Sequence, residues 1–173
     1  NLKVMVMDEN LGYGRANNIG IKISDTNYVF ILNPDAYLSS KNLEQILSYL
    51  ENIEFAIAAP LEDNEIDNTN LNKKIMETET VKGFAMILNK KKFKDNFFDE
   101  KIFLYLEEID LCKRMRSLNE KIILINVKIK HLGGNSHYDS QDIEIIKSRN
   151  WHWMWSKFYF NKKHYGYCNA LIK

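Results

Sequence analysis

Apolar residues come in short blocks separated by polar, proline- or glycine-bearing joints, and the spacing inside each block indicates its element. Leu2-Lys3-Val4-Met5-Val6-Met7 reads as a core strand with no helix or cap before it, so upstream sequence is expected to be missing. Asp8 to Gly14 is a polar turn, and Arg15 to Ile23 then sets Ala16, Ile19 and Ile23 on one side of a helix. Tyr28-Val29-Phe30-Ile31-Leu32 is continuously apolar and stops at Asn33-Pro34, the pattern of a strand buried on both faces of a mostly parallel sheet. Ser39 or Ser40 can cap a helix running to about Leu50, and Phe55 to Ala59 returns as a strand ended by Pro60.

The polar stretch Glu62 to Thr80 predicts a long surface loop with at most a short strand, a kind of segment that often carries function. Val81 to Leu88 predicts a strand broken by Gly83, where a ligand or another backbone can come close. After the aromatic, irregular Phe97 to Tyr105, a helix from about Glu107 to Leu118 puts Ile109, Cys112 and Met115 at core spacing. Lys121 to Ile129 is a further strand ending at His131. Strands alternating with helices specify an α/β fold with a mostly parallel sheet flanked by helices, followed by a C-terminal aromatic and basic helix.

Composition narrows the function classes. The chain has 173 residues, 45% of them hydrophobic, enough for one domain with a real core but hardly for two. A net charge of +1 gives no field that would mark a nucleic-acid binder. Cys112 and Cys168 lie in no metal-ligand spacing and are expected to be free buried thiols in a reducing cytoplasm. No apolar run approaches the ~20 residues that cross a bilayer.

In open α/β sheets ligands sit beyond the carboxyl ends of strands, which singles out four groups of polar residues. Asp35 follows Asn33-Pro34; it can cap the turn, or it can anchor Mg2+ or Mn2+ provided a diphosphate completes the shell. Asp8 to Asn18, with Gly12 and Gly14, leads into a helix whose amino end suits phosphate, although Asn17 stands where a dinucleotide fingerprint has its third glycine. Glu107-Glu108-Ile109-Asp110 places three carboxylates at a helix start. Some of these can serve the helix dipole, and crowding beside an apolar wall can raise one to a general base; Asp110 and Arg114 are also spaced for an ion pair. His131, ahead of Leu132-Gly133-Gly134-Asn135-Ser136, can be structural or can complete a metal site with Asp35.

Taken in order, Asn10-Leu11-Gly12-Tyr13-Gly14-Arg15-Ala16-Asn17-Asn18, Ile31 to Asp35, Lys82 to Met86, Phe98-Asp99-Glu100, Phe103 to Arg114 and His131 to Ser136 resemble the family 2 inverting glycosyltransferases of GT-A fold, in particular their rhamnosyltransferase-like branch. The resemblance covers residues 1 to about 137, a GT-A domain without its amino-terminal part, with 138–173 as a helical tail. It implies that Asp35 is the last acid of the metal-binding motif, with Asn33 in its first position and His131 beside the metal, and that Mg2+ or Mn2+ is the cofactor. Glu108 falls where the family has its catalytic base, usually an Asp; being one methylene longer, it leaves room for Glu107 to share the role. By the same resemblance Asp110 orients the acceptor, Arg15, Asn17, Asn10 and Gly12 face the nucleotide, and Gly83 lies at the substrate. The implied reaction moves a sugar from a nucleotide-diphospho-sugar to a hydroxyl of a glycan or lipid-linked acceptor, with inversion, in cell-surface polysaccharide synthesis.

The tail Trp151 to Tyr165 mixes aromatic and basic residues at helical length, with Trp151, Met154, Trp155 and Phe158 on one face. Residues 149–165 therefore suit a peripheral contact at the cytoplasmic face of the plasma membrane. The rival readings are a non-catalytic or truncated sugar-nucleotide or protein-binding module, and a nucleotidyltransferase.

Overall fold

The computed structural model describes residues 2–64, 73–133 and 143–172. In chain order the elements are α1 (Gly12–Ile23), β1 (Tyr28–Leu32), β2 (Ala36–Tyr37), α2 (Ser40–Leu50), β3 (Ile57–Glu62), β4 (Ile75–Glu77) and β5 (Ala85–Asn89). They continue with α3 (Glu107–Ser117), β6 (Ile122–His131), α4 (Ile143–Tyr165) and α5 (Tyr167–Ile172). Among the described residues the strands make one six-stranded sheet in the order β1-β5-β3-β6-β2, with β4 also on β6.

The α/β class is as the sequence predicts, but the sheet is mixed rather than mostly parallel. Among the described residues only β3 and β6 pair in parallel, while β1–β5, β3–β5, β4–β6 and β2–β6 are antiparallel. A continuous apolar run reports burial on both faces, which β3 has along its whole length, and carries no information on direction. On one face Ile21 of α1 and Leu111, Cys112 and Met115 of α3 pack with Met86, Leu88, Phe97 and Phe98; on the other Ile46 of α2 packs with Phe55, Ala58, Ile87, Ile123 and Ile125.

Other boundaries also move. Leu2 to Met7 is no strand: it has no ladder partner among the described residues, and Leu2, Val4 and Val6 are 92%, 74% and 89% exposed. Hydrophobic content specifies a strand only where another strand can take its hydrogen bonds. β3 runs through Pro60 instead of ending there, because the pairing with β6 jumps from Pro60↔Ile125 to Leu61↔Lys128. A proline without an N–H is tolerated at such an irregularity. The expected Val81–Leu88 strand begins only at Ala85, after an irregular Val81–Lys82 and a turn at Gly83–Phe84; Ser39 accepts from the N–H of Asn42 at 3.1 Å to cap α2, and β4 is the short strand inside the polar stretch. Cys112 is buried, and burial pushes its thiol up to about 12; Cys168, expected to be buried, is exposed on the short terminal helix. The boundary between core and tail near residue 137, and the end of the His131 to Ser136 stretch, lie outside the described residues.

The tail helix α4 is fastened to α3 by charge. Asp110 is fully buried, and its carboxylate accepts from Arg114 Nε at 2.8 Å, His164 Nε2 at 2.7 Å and Lys163 Nζ at 2.7 Å. Lys163 also reaches Asp99 at 2.6 Å, Tyr159 donates to Asp99 at 3.0 Å, and Ser156 donates to the carbonyl of Leu104 at 2.6 Å. Burial alone would push Asp110 upward; the hydrogen bonds from Lys163, Arg114 and His164 outweigh it and hold the acid below its usual range. Removing one member of a buried ion cluster strands the others without compensation. Asp110→Ala is therefore expected to lose about 3–5 kcal/mol of unfolding free energy in urea and to speed hydrogen exchange across α4; an unchanged urea midpoint would refute the clamp.

Candidate active site

Three strands deliver polar groups to one edge of the sheet. β1 ends at Leu32, and the chain turns at once: Asn33 N–H donates to the Phe84 carbonyl at 2.8 Å and Ala36 N–H to the Asn33 carbonyl at 3.1 Å. Asp35 occupies that turn. β2 then pairs Ala36 with His131 and Tyr37 with Lys130, and Leu132 N–H donates to the Asp35 carbonyl at 3.0 Å. This brings Asp35 Oδ1 to 3.3 Å from His131 Nε2. On the other side of the imidazole, Nδ1 is 3.0 Å from Glu62 Oε1 at the end of β3, and Phe84 stacks on the ring at 4.5 Å with 14° between planes. Lys82 Nζ is 2.5 Å from Glu62 Oε2. Burial would raise the Glu62 acid, but the hydrogen bonds from Lys82 and His131 hold it below the usual carboxylate range.

Asp35, His131 and Asn33 open into a cleft of about 790 Å³ whose wall also includes Asn10, Gly12, Tyr13, Phe103, Tyr105, Arg149 and His152. Gly12 is required by geometry: its φ is +75°, and a Cβ there would sit 2.4 Å from the Phe103 carbonyl oxygen. That absence of a side chain lets Tyr13 N–H reach the same carbonyl at 3.0 Å and puts the polar loop against the aromatic segment. His152 stacks on Phe103 at 4.3 Å, so α4 closes the cleft's far side and brings Arg149 into it.

The acidic triplet divides among three environments. Tyr105 and Leu106 both have positive φ, 70° and 68°, a costly conformation for such side chains that turns the chain sharply into α3. Glu107 is buried, its Oε2 has no hydrogen-bond partner among the described residues, and burial, reinforced by the charge of Glu108, pushes its acid up to about 8. Glu108 is raised by burial too, against the hydrogen bonds of its own and Ile109's backbone N–H. It faces a smaller cavity of about 270 Å³ with Pro60, Thr80 and Lys82, and it lies against Gly83, where a Cβ would come within 3.7 Å of its Cβ and Cγ. Tyr13 Oη sits between the two regions, donating to the Gly83 carbonyl at 2.5 Å. Burial and the charges of Glu107 and Glu108 raise its phenol.

The structure thus brings Asp35, His131, Asn33, Asn10 and Gly12 to one cleft and sets Glu107, Glu108 and Gly83 behind Tyr13. It does not bring Asp110 there, since that carboxylate is enclosed by α3 and α4. Arg15 faces Glu100 at 3.8 Å on the surface, and Asn17 donates to the Tyr13 carbonyl at 2.9 Å within its own helix, so neither lines the cleft. Helical phase explains this: a residue one turn into α1 is carried away from the end that meets the ligand space. Tyr13, Glu62, Arg149 and His152 belong to the site without having been legible as such. Glu62 and Arg149 sit in segments rich in charge, and only the fold selects them.

The donors suit a hard divalent cation. A carboxylate and an imidazole 3.3 Å apart are near the roughly 3 Å that separates adjacent ligands of an octahedral ion with ~2.1 Å bonds. Among the described residues no group of three or more His, Cys, Asp or Glu converges on one point. Asp35 and His131 would therefore need phosphate oxygens from a bound ligand to fill the shell.

Comparison with known proteins fits this geometry. The family model for Glycosyl transferase family 2 matches residues 1–123. The chain is 25% identical over 179 residues to rhamnosyltransferase WbbL of Escherichia coli (strain K12), covering 82% of this chain and 67% of that protein. The structure is similar to the crystal structure of GalNAc-T7 with UDP, GalNAc and Mn2+, with a TM-score of 0.59 at 8% identity over 72% of this chain. The chain spans 31% of that protein, and at this identity the likeness shows the fold, GT-A, and no more.

The raised Glu107 acid has a consequence for stability. Folded, it keeps its proton to about pH 8, whereas unfolded it loses the proton near the ordinary value of 4.5. Between those values the unfolded chain binds fewer protons, so the unfolding free energy falls as pH rises. Glu107→Gln, which has no proton to lose, is expected to be the more stable form by roughly 2 kcal/mol or more at pH 8, with the gap shrinking toward pH 4. Urea unfolding at both pH values checks it, and a gap independent of pH would refute the shift.

Proposed function

The chain belongs to glycosyl transferase family 2, and we propose that it transfers a sugar, with inversion, from a nucleotide-diphospho-sugar to a hydroxyl of a glycan or lipid-linked acceptor in cell-surface polysaccharide synthesis. The observation that carries this reading is the convergence of Asp35 and His131 at one end of a cleft of about 790 Å³, with the buried Glu107–Glu108 pair behind its Tyr13 wall. Residues 1–137 form the catalytic core in this reading, and 138–173 the tail.

Asp35 and His131 would hold Mg2+ or Mn2+, with phosphate oxygens of the donor completing its shell, and such a cation would supply positive charge to offset that developing on the leaving group. Asn10 and the loop at Gly12 face the nucleotide, and Arg149 adds positive charge to the same cleft. Glu108 takes the proton from the acceptor hydroxyl. That oxygen attacks the anomeric carbon from the side opposite the diphosphate, the carbon–oxygen bond to phosphate breaks, and the nucleoside diphosphate leaves. Burial suits Glu108 to this role, because a carboxylate pushed up toward neutrality is a stronger base than an exposed one. Glu107, protonated at neutral pH, avoids putting a second negative charge beside it. Gly83 leaves the space in which Glu108 lies.

The tail supports a second part of the reading, a peripheral contact with the inner face of the plasma membrane. Trp151, Met154 and Trp155 are exposed on α4, Tyr167, Leu171 and Ile172 on α5, and Lys157 and Lys162 lie among them. Aromatic rings and lysines of this kind sit at headgroup level on anionic bilayers. Among the described residues no helix is long and apolar enough to cross a membrane.

In a transfer assay with the full chain, Glu108→Gln is expected to lower kcat by about 10²–10⁴-fold with donor binding retained, and Glu107→Gln by less. Asp35→Asn is expected to abolish metal-dependent donor binding. Equal inactivity of the unmodified chain would favour a non-catalytic sugar-nucleotide-binding module instead. For the membrane contact, the triple variant Trp151→Ala, Met154→Ala, Trp155→Ala is expected to lose co-sedimentation with anionic liposomes; unchanged sedimentation would remove that part of the proposal.

A further inference from the structure

We infer that Glu62 is the positioning residue of the metal site: it fixes the ring orientation and tautomer of His131 so that Nε2, and not Nδ1, faces Asp35 and the diphosphate. The inference rests on the reading of Asp35 and His131 as cation ligands and assigns a role to a residue that reading does not use. Glu62 ends β3, where it pairs in register with Ile129 of β6, two residues before His131. Residues two apart on a strand share a face, so the parallel pairing itself places the Glu62 side chain alongside the imidazole.

The contacts then determine the tautomer. Glu62 Oε1 lies 3.0 Å from His131 Nδ1. An ionised carboxylate only accepts hydrogen bonds, so Nδ1 must carry the hydrogen. In a neutral imidazole the lone pair is then on Nε2, the atom 3.3 Å from Asp35 Oδ1. Phe84, stacked on the ring, fixes its plane. Lys82 occupies the other Glu62 oxygen at 2.5 Å, keeping the carboxylate charged and oriented. A carboxylate behind a ligating histidine raises the basicity of the ligand and removes its rotational freedom, and loss of such a partner costs 10–100-fold in metal affinity.

The test titrates Mn2+ by electron paramagnetic resonance against the full chain with saturating inorganic pyrophosphate, a probe independent of the nucleobase. Glu62→Ala is expected to weaken Mn2+ binding about 10–100-fold, Glu62→Gln less, since its amide oxygen still accepts from Nδ1–H, and His131→Ala at least as much as Glu62→Ala. A side chain that merely supported the fold would not produce that graded order among variants with equal thermal melts. In the Mg2+–pyrophosphate complex of the unmodified protein, the ¹⁵N signals of His131 are expected to report the Nδ1–H tautomer, a readout that needs no variant to fold. Unchanged affinity in Glu62→Ala beside a weakened His131→Ala, or an Nε2–H tautomer in the complex, would overturn the inference and leave the metal reading standing. Unchanged affinity in His131→Ala, or no Mn2+ binding by the unmodified chain, would remove the metal reading and this inference with it.

Discussion

Two backbone pairs, Ala36 with His131 and Tyr37 with Lys130, hold the site together. Without that short ladder Asp35 would belong to an isolated turn and His131 to the frayed end of a strand. With it, and with the hydrogen bond from Leu132 N–H to the Asp35 carbonyl, two side chains far apart in sequence are held 3.3 Å from one another. The ladder is possible because β6 is long: it pairs with β3 from Ile122 to Ile129 and with β4 from Ile123 to Ile125, and its last two residues, Lys130 and His131, pair with β2. The length of one strand thus determines whether the candidate metal ligands meet.

The mixed direction of the sheet does not scatter the site. β1 and β3 each run antiparallel to β5, and β6 runs parallel to β3, so β1, β3 and β6 all point the same way. Their carboxyl ends carry Asn33 to Asp35, Glu62 and His131 to a single edge. β5 runs the other way and brings its amino end, Lys82 to Phe84, to that same edge, where Phe84 stacks on His131 and Lys82 meets Glu62. The rule that ligands sit beyond the carboxyl ends of strands holds for the three co-directional strands, and the reversed strand contributes the residues that brace them.

This explains what could be read from the sequence. Asp35 and His131 announce themselves because each lies within three residues of the end of an apolar run, and strand ends are local features. Helix positions are also legible, since Ser39 caps α2 and the Glu107 helix buries Cys112 and Met115, but their phase is less so: Leu111 is buried in place of Ile109, and α1 buries Gly14, Asn18 and Ile21 and not Ala16 and Ile23. Glu62 is not legible, because an acid at the start of a polar stretch looks like solvent-facing loop until β3 is known to run through Pro60. Strand direction is equally hidden, being set by connections and not by hydrophobicity. Leu2 to Met7 shows the reverse error: a strand-like composition has no strand geometry when nothing among the described residues takes its hydrogen bonds.

The acidic run shows how three neighbours with one chemistry are driven to different tasks by the partners that surround each of them. Asp110, three positions into α3, turns into the interface with α4, where Arg114, Lys163 and His164 overcome the cost of burying it. The i,i+4 spacing to Arg114 already offered that ion pair, so the structural reading of Asp110 holds in the geometry. Among the described residues Glu107 and Glu108 are given no such cation as a hydrogen-bond or ion-pair partner, and burial raises both acids. A fold selected for stability alone would favour amides or apolar groups at these two positions, because each carboxyl is costly to ionise there. Two left-handed residues, Tyr105 and Leu106, are strained to hold them in place. Ionisation cost and backbone strain concentrated beside a cleft, with the charges that anchor the tail compensated one turn further along the same helix, locate the candidate chemistry at Glu107–Glu108 and the mechanical joint at Asp110.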